Sequence, residues 1–257
     1  LGWISKNYRV KHHGSHKLIT PPDEVADSIY LFGDFTALSG SGEIITMDFY
    51  AKLRQMMCLL ISSSQKNGIS TQRLTEILWP DRDEYNAKNI RGVTMNHLRK
   101  ALSKLPGAKV DYSDGRYRFT AENPLYCDYI EFTNQMASAT PDMDRVLAIL
   151  SRGRFLSSES DPVTEPIKEN VERVIVPTVQ LEMEKRFNLK QYQNVLLCVK
   201  ILTEIDPVDE DAMKYCVRSL IALGRDEESR QRYNDFRKKY SAYYGEAYTT
   251  EYEAIMR

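Results

Sequence analysis

The chain has 257 residues, of which 42% are hydrophobic and 28% are charged, and its formal net charge at pH 7 is −1. This composition is typical of a folded globular protein and excludes an intrinsically disordered chain. The length allows one large domain or two domains of ordinary size. No apolar run approaches the roughly 20 residues that a membrane-spanning helix requires, so no such helix is expected within the sequence.

The start of the chain shows no periodic pattern of apolar side chains and contains the pair Pro21-Pro22, so residues 1–27 are interpreted as a linker. The sequence begins without an initiator methionine and is therefore expected to be part of a longer protein. Its first apolar residues run into basic ones such as Lys6 and Arg9. This order is also typical of a segment that follows the cytoplasmic end of a membrane helix, and that alternative stays open.

Three short stretches rich in β-branched and aromatic residues follow, at residues 28–32, 35–38 and 43–47, and they predict three strands. Gly40 and Gly42 lie between the second and the third stretch. A phosphate-binding loop would need a lysine and a following helix at this place, so a hairpin turn is the preferred interpretation.

A block of three helices is predicted next. Apolar residues recur at helical spacing over residues 49–64, which predicts the first helix. Ser70 is expected to cap a second helix that ends at Trp79, because a proline follows. The third helix is predicted over residues 86–105, where the apolar side chains fall on one face.

A β-hairpin is predicted after the third helix, with strands at residues 109–112 and 116–119 and a turn at Asp114-Gly115. Strands, three helices and a hairpin in this order are typical of a winged helix. In that fold the last helix enters the major groove of DNA and the hairpin, or wing, touches the backbone or the minor groove.

Positive charge is concentrated in the same region. Residues 28–121 carry a balance of +4 and residues 122–257 a balance of −6, and residues 85–118 contain eight basic residues but only two acidic ones. A basic segment inside a near-neutral chain indicates an anionic partner. A solvated helix face is the alternative interpretation of these basic residues.

The remainder of the chain is predicted to be helical. The expected helices cover residues 129–138, 143–151, 167–187, 189–205, 210–223 and 227–244, with a short helix near the end. Breaks at Pro207 and Gly224 are each followed by an amphipathic helix. Helix pairs that repeat roughly every 34 residues are typical of tetratricopeptide-like arrays, which are partner-binding scaffolds.

The predicted fold class is therefore mostly α, with an α+β N-terminal part. We expect a linker or juxtamembrane segment over residues 1–27 and a winged-helix DNA-binding domain over residues 28–121. An all-α tetratricopeptide-like domain is expected over residues 122–257.

Residues 29–119 resemble the OmpR-type winged helix in the form that it takes in the SARP class of bacterial activators. The resemblance rests on residues 70–79 (STQRLTEILW), residues 96–102 (NHLRKAL) and residues 114–119 (DGRYRF) of the wing. Residues from about 128 to the end resemble the bacterial transcriptional activator domain, the tetratricopeptide-like domain that follows the winged helix in this class.

The resemblance implies sequence-specific binding to double-stranded DNA, with the third helix reading bases. Gly92, Val93 and His97 match the family's base contacts, Trp79, Thr94, Asn96 and Arg99 match its phosphate contacts, and Arg116 lies on the wing. Lys88, Arg91 and Lys100 complete the expected DNA-binding set as basic residues of the third helix. Basic side chains contribute charge near phosphates, and His97 can pair with one base edge but cannot make the bidentate guanine contact of an arginine.

Two residues of the recognition helix depart from the family pattern. Arg91 stands where the family usually has an apolar residue, and Gly92 places a glycine inside the helix, at a cost of about 1 kcal/mol relative to alanine. Trp79 has an alternative interpretation as a core residue at the end of the second helix.

No pattern of a catalytic or metal site is present. Nucleophile-elbow and phosphate-loop motifs are missing from the sequence, and the four cysteines have no metal-ligand spacing, which indicates buried, reduced thiols in a cytoplasmic protein. The cluster of His12, His13 and His16 has neither a carboxylate nor a cysteine beside it. We therefore expect no enzyme activity, metal, cofactor or small-molecule substrate.

The leading hypothesis is a cytoplasmic transcription regulator that binds double-stranded DNA. Its helical domain would mediate homodimer formation or contact RNA polymerase or a signalling partner. The alternative keeps the fold, but its winged helix docks protein, either in an interaction scaffold or in the cytoplasmic output module of a membrane-anchored regulator. Salt-sensitive binding to DNA separates the two hypotheses.

Overall fold

The computed structural model describes residues 27–122 and 124–256, and the segments of the predicted linker before residue 27 and of the histidine cluster lie outside the described residues. The described residues form two compact units. The N-terminal unit contains residues 27–142 and 152–175, and the helical unit contains residues 143–151 and 176–256. The domain boundary expected between residues 121 and 122 stays a prediction.

The secondary structure is as follows. The strands are β1 (Ser28–Tyr30), β2 (Thr36–Leu38), β3 (Ile69–Ser70), β4 (Ala108–Ser113), β5 (Arg116–Ala121) and β6 (Tyr126–Cys127). The helices are α1 (Ala51–Ser62), α2 (Thr71–Leu78), α3 (Glu84–Leu102), α4 (Asp128–Ala137), α5 (Met143–Leu150), α6 (Glu165–Asn188), α7 (Tyr192–Ile205), α8 (Glu210–Ala222), α9 (Asp226–Tyr244) and α10 (Tyr252–Met256).

The first sheet of the N-terminal unit has the strand order β2-β1-β6. The two predicted strands β1 and β2 pair in antiparallel fashion. The two-residue strand β6, which follows the wing in sequence, pairs with the other edge of β1 in parallel, with Ser28 opposite Tyr126. The sheet is therefore completed by residues from beyond the winged helix.

The predicted third strand over residues 43–47 is wrong. Only Ile44 bridges to β2, and Thr46–Asp48 form a 3-10 helix. The hydroxyl of Thr46 accepts a hydrogen bond from the Ala37 amide at 3.0 Å. A side-chain oxygen therefore takes the place of a strand carbonyl, and the chain leaves the sheet edge after one bridge.

The three predicted helices are confirmed as α1, α2 and α3. α1 buries an apolar stripe that includes Leu53, Met56 and Leu60. Ser70 caps α2 as predicted, because its hydroxyl accepts a hydrogen bond from the Arg73 amide at 3.1 Å. This bond satisfies one of the N–H groups that the first turn of a helix leaves unpaired.

The third helix, α3, begins two residues earlier than predicted. Asp83 is its N-cap, and the carboxylate accepts a hydrogen bond from the Asn86 amide at 3.0 Å. The first turn of α3 therefore includes Glu84 and Tyr85, which lie before the predicted start of the helix.

The predicted hairpin is confirmed as β4 and β5, and β3 extends it to a sheet with the order β3-β5-β4. Asp114 and Gly115 have φ angles of 51° and 72°, which is the type I′ geometry that an Asp-Gly turn favours. Gly68 has a φ angle of 77°, and a Cβ atom there would collide with the carbonyl oxygen of Tyr117. Glycine therefore lets β3 approach β5, which holds the wing against the start of α2.

A buried carboxylate joins β1 to α4. The two carboxylate oxygens of Asp128 accept hydrogen bonds from the amides of Leu31 (2.8 Å) and Phe32 (3.0 Å). Burial raises the pKa of this carboxyl group to about 7, although the two N–H donors and the charge of Arg152 act in the opposite direction. Phe32 then packs edge-to-face on Phe132 of α4, with ring centroids 5.3 Å apart.

The helical unit has the predicted repeat spacing. α7 begins at Tyr192 and α9 at Asp226, so 34 residues separate the two starts, and α8 packs against both helices. Gly224 ends α8 with a φ angle of 72°, as predicted. The predicted helix over residues 189–205 begins later, because Lys190 has a left-handed φ angle of 59° that separates α6 from α7.

Aromatic residues pack the C-terminal end of the chain against α9. Tyr233 and Tyr252 pack with ring centroids 5.3 Å apart. Their hydroxyl groups donate to the Thr250 carbonyl at 2.7 Å and to the Ser229 hydroxyl at 2.9 Å, respectively. These bonds hold α10 and the preceding segment against α9.

The predicted fold class, a winged helix followed by tetratricopeptide-like helices, is confirmed. Within residues 27–122 and 124–256, no helix is long and apolar enough to cross a membrane.

Replacing Asp128 with alanine should lower the free energy of unfolding by about 2–4 kcal/mol, because two buried N–H groups lose their acceptor. Urea-induced unfolding followed by circular dichroism measures this loss. Asp81→Ala, in the exposed loop before α3, is the control and should change the free energy by less than about 0.5 kcal/mol.

The pH dependence tests the same carboxyl group. Its pKa of about 7 in the folded state exceeds the unfolded value of about 3.9, so the folded state holds the proton more tightly. The free energy of unfolding should therefore fall as the pH rises from about 4 through 7, by roughly 1 kcal/mol per pH unit. Asp128→Asn cannot titrate and should show a shallower slope, and equal slopes would contradict the assignment.

Candidate nucleic-acid interface

α3 has one buried face and one exposed face. Its buried face includes Ala87, Met95, Leu98 and Leu102. The expected DNA-binding residues that are exposed on α3 are Lys88, Gly92, Val93, Asn96, His97, Arg99 and Lys100. At about 100° per residue these positions fall within about one half of the helix circumference. The structure therefore brings them together on one surface, which we term the α3 face.

Two of the residues expected to touch phosphates are less accessible. Thr94 is buried, and its hydroxyl donates a hydrogen bond to the Ile90 carbonyl at 2.8 Å. Trp79 is half-buried directly after α2, and its amide donates to the Thr75 carbonyl at 2.8 Å. Neither residue lies on the α3 face, and their DNA contacts stay predictions.

Arg91 links α3 to α2. Its Nη1 atom donates a hydrogen bond to the Thr75 hydroxyl oxygen at 2.5 Å. That hydroxyl donates its own proton to the Thr71 carbonyl at 2.7 Å, so its oxygen is free to accept from the guanidinium group. The half-buried Arg91 thus makes a polar contact between two helices where the family usually has an apolar residue.

The wing contacts both α3 and the segment at the start of α2. The Nη2 atom of Arg99 donates to the Val110 carbonyl in β4 at 3.4 Å. Arg116, the expected wing contact, is half-buried at the start of β5 and lies opposite Ser70 in the β3–β5 pairing. The backbone at Arg116 therefore sits beside the N-terminus of α2.

Tyr50, which is not among the residues predicted from the sequence, lies beside the expected base-reading residue His97. The Tyr50 hydroxyl oxygen is 3.3 Å from Nδ1 of His97, and the two rings meet edge-to-face with centroids 6.4 Å apart. Tyr50 is the N-cap residue of α1 and is 47% exposed. No periodic pattern in the sequence marks such a contact, because the two residues are 47 positions apart.

A second candidate site is a cleft of about 690 Å³ in the helical unit, between α7, α8 and α9. Its volume is within the range of known ligand pockets, about 300–1,000 Å³. Leu196, Met213 and Phe236 contribute apolar surface. Five basic side chains line the cleft, Lys200, Arg225, Arg232, Lys238 and Lys239, with two acidic ones, Glu228 and Asp235.

The described residues offer no metal site, since no group of three or more His, Cys, Asp or Glu side chains is placed to hold an ion. The four cysteines, Cys58, Cys127, Cys198 and Cys216, are free and buried, as expected. Burial raises the pKa of every one of these thiols well above its ordinary value. They are therefore protonated and unreactive at neutral pH.

Similarity to known proteins indicates the class of protein to which this chain is related. Residues 134–245 match the family model of the bacterial transcriptional activator domain. Among solved structures, the chain is similar to Mycobacterium tuberculosis EmbR in complex with a low-affinity phosphopeptide. The TM-score is 0.58 at 16% sequence identity, and the match covers 89% of this chain and 63% of that one. A search of curated protein sequences finds no match.

The chain therefore combines a winged helix with a segment that matches the bacterial transcriptional activator domain, and this combination supports a transcription regulator. The resemblance to the SARP class of bacterial transcriptional activators is thereby confirmed. At 16% identity, the likeness to EmbR shows the fold alone, and this chain spans less than two thirds of that protein chain.

Substitution of Gly92 tests whether this position of α3 has open space around it, through the stability of the protein. A Cβ atom at this position meets nothing within 4 Å, so Gly92→Ala should raise the free energy of unfolding by about 1 kcal/mol through helix propensity. Urea-induced unfolding measures the gain. Gly107→Ala is the control and should destabilise the protein, because Gly107 has a φ angle of 88° and its Cβ atom would collide with the Glu122 carbonyl.

Proposed function

We propose that the protein is a transcription regulator that binds double-stranded DNA sequence-specifically. In this proposal α3 enters the major groove and the β4–β5 wing contacts the backbone or the minor groove. The observation that carries the proposal is the α3 face, where basic and polar side chains lie on one surface of a helix whose other surface is buried.

The chemistry of the α3 face supports different roles for its residues. Arg99 and Lys100 are exposed near the C-terminal end of α3, where their charges suit phosphate groups. Val93 is 55% exposed and offers an apolar contact for a thymine methyl group. Gly92 has open space around its Cα atom, which suits a close approach to a base edge.

The family and the fold are those of regulators and not of enzymes. We propose no catalytic role, no cofactor and no small-molecule substrate, and a role in binding chromosomal DNA implies that the chain acts in the cytoplasm. Trp79, Lys88, Thr94 and Asn96 remain in the proposed DNA-binding set as phosphate contacts, together with Arg116 on the wing.

Arg99→Ala combined with Lys100→Ala should weaken DNA binding at least about tenfold and reduce the slope of log affinity against log salt by about two. The DNA is a duplex selected from a random pool, and binding is measured by fluorescence anisotropy at several salt concentrations. The matched control is Arg173→Ala with Lys185→Ala, which removes the same charge from exposed positions of α6 outside the cleft.

Equal losses in both double variants would contradict a site on α3. If the unaltered protein selects no DNA motif, the winged helix is better explained as a protein-docking module. That is the alternative function, in an interaction scaffold or in the output module of a membrane-anchored regulator.

We also propose that the helical unit docks a segment of another protein. Such docking would serve homodimer formation or contact with RNA polymerase or a signalling protein. The supporting observation is the cleft between α7, α8 and α9, because its lining has three more basic than acidic side chains. In the described residues of the whole helical unit, basic side chains number thirteen and acidic ones fifteen. An acidic segment with apolar side chains therefore fits this cleft.

A labelled amphipathic peptide with leucine at helical spacing and glutamate elsewhere should bind the helical unit, whereas the same peptide with lysine in place of glutamate should not. Lys238→Glu combined with Lys239→Glu should weaken binding of the acidic peptide about tenfold, because two attractive charges become repulsive. Fluorescence anisotropy of the full chain measures both. Equal binding of the two peptides would contradict the role of charge.

A further inference from the structure

The hydroxyl group of Tyr50 is a hydrogen-bond partner of one of the two ring nitrogens of His97. The hydroxyl oxygen lies 3.3 Å from Nδ1, and the rings meet edge-to-face. A neutral imidazole has one N–H donor and one acceptor nitrogen, and the partner of one nitrogen decides which role the other takes. Because Nδ1 is hydrogen-bonded to Tyr50, Nε2 is the ring nitrogen of His97 that can pair with a base edge.

The backbone that carries Tyr50 is fixed. Its carbonyl accepts hydrogen bonds from the amides of Leu53 (2.8 Å) and Arg54 (3.1 Å) in the first turn of α1. Two residues earlier, the carboxylate of Asp48 pairs with Lys104 just after α3, at 2.7 Å. The segment before α1 is thus tied both to α1 and to the end of the recognition helix.

We propose that Tyr50 is a positioning residue for base recognition, which donates its hydroxyl proton to Nδ1 of His97 and so holds the proton of the imidazole on Nε2. This inference rests on the proposed DNA-binding function. His97 then presents a hydrogen-bond donor to the major groove. Guanine, adenine and thymine offer acceptors there, whereas cytosine offers its N4 amino donor, so His97 selects against cytosine.

The first experiment needs no DNA. Nitrogen-15 NMR of the full chain, recorded above the pH range in which histidines titrate, reports the tautomer of each imidazole, and His97→Gln assigns the signal. The unaltered protein should show the Nε2–H form of His97. Tyr50→Phe keeps the ring but removes the hydroxyl, so the two tautomers should become mixed. An Nδ1–H form in the unaltered protein would overturn the proposal.

The second experiment measures base preference. Duplexes are selected from a random pool by the unaltered protein, and the position read by His97 is the one whose preference is lost in His97→Ala. At that position Tyr50→Phe should reduce discrimination against cytosine by about three- to tenfold, the effect of one hydrogen bond. Tyr85→Phe, which removes an exposed hydroxyl at the start of α3, should leave the preference unchanged.

A double-mutant cycle separates positioning from direct contact. If Tyr50 acts through His97, Tyr50→Phe should change base preference in the unaltered protein but not in the His97→Ala background. An equal effect in both backgrounds means that Tyr50 contacts DNA itself and overturns the proposal. An unchanged preference in Tyr50→Phe also overturns it. Absence of any selected motif with the unaltered protein would instead reject the proposed DNA-binding function, while the NMR result still tests the Tyr50–His97 bond.

Discussion

The N-terminal unit depends on the carboxylate of Asp128, because it accepts hydrogen bonds from two amides that no strand reaches. β1 ends at Tyr30, yet the next two residues, Leu31 and Phe32, are almost completely buried. A buried N–H group without an acceptor costs about 1–3 kcal/mol. Asp128 supplies both acceptors from the first residue of α4, directly after β6. One side chain therefore fixes the end of β1 and the start of α4.

Residues from beyond the wing also support the segment that packs beside α3. Arg54 of α1 pairs with Glu159 at 2.6 Å and donates to the Phe49 carbonyl at 2.7 Å. Both contacts lie within the N-terminal unit, which includes residues 152–175. The segment that carries Tyr50 is therefore held by a residue more than one hundred positions later in the chain. A winged helix cut after its wing would lose both this ion pair and the acceptor for β1.

The sequence predicted those parts of the fold whose signals are local. The cap at Ser70, the Asp-Gly turn of the wing and the apolar faces of the helices were predicted because periodicity and turn chemistry act over a few residues. β6 was not predicted because a strand of two residues has no periodic pattern of side chains. The prediction of a strand over residues 43–47 was wrong because the Thr46 hydroxyl takes the place of a backbone acceptor. The exposed side of α3 was predictable from spacing, whereas the contact of Tyr50 with His97 joins distant residues and was not.

α3 has a residue of low helix propensity in its middle, and three of its side chains contact neighbouring elements. Gly92 lowers helix propensity in the middle of α3, so the conformation of the α3 face depends on what holds it from outside. Arg91 is bonded to α2, His97 to the segment before α1, and Arg99 to β4 of the wing. All three partners lie outside α3. The geometry of the α3 face is therefore set partly by residues of α2, of the wing and of the segment before α1, and a substitution in those elements changes this face without altering the sequence of α3.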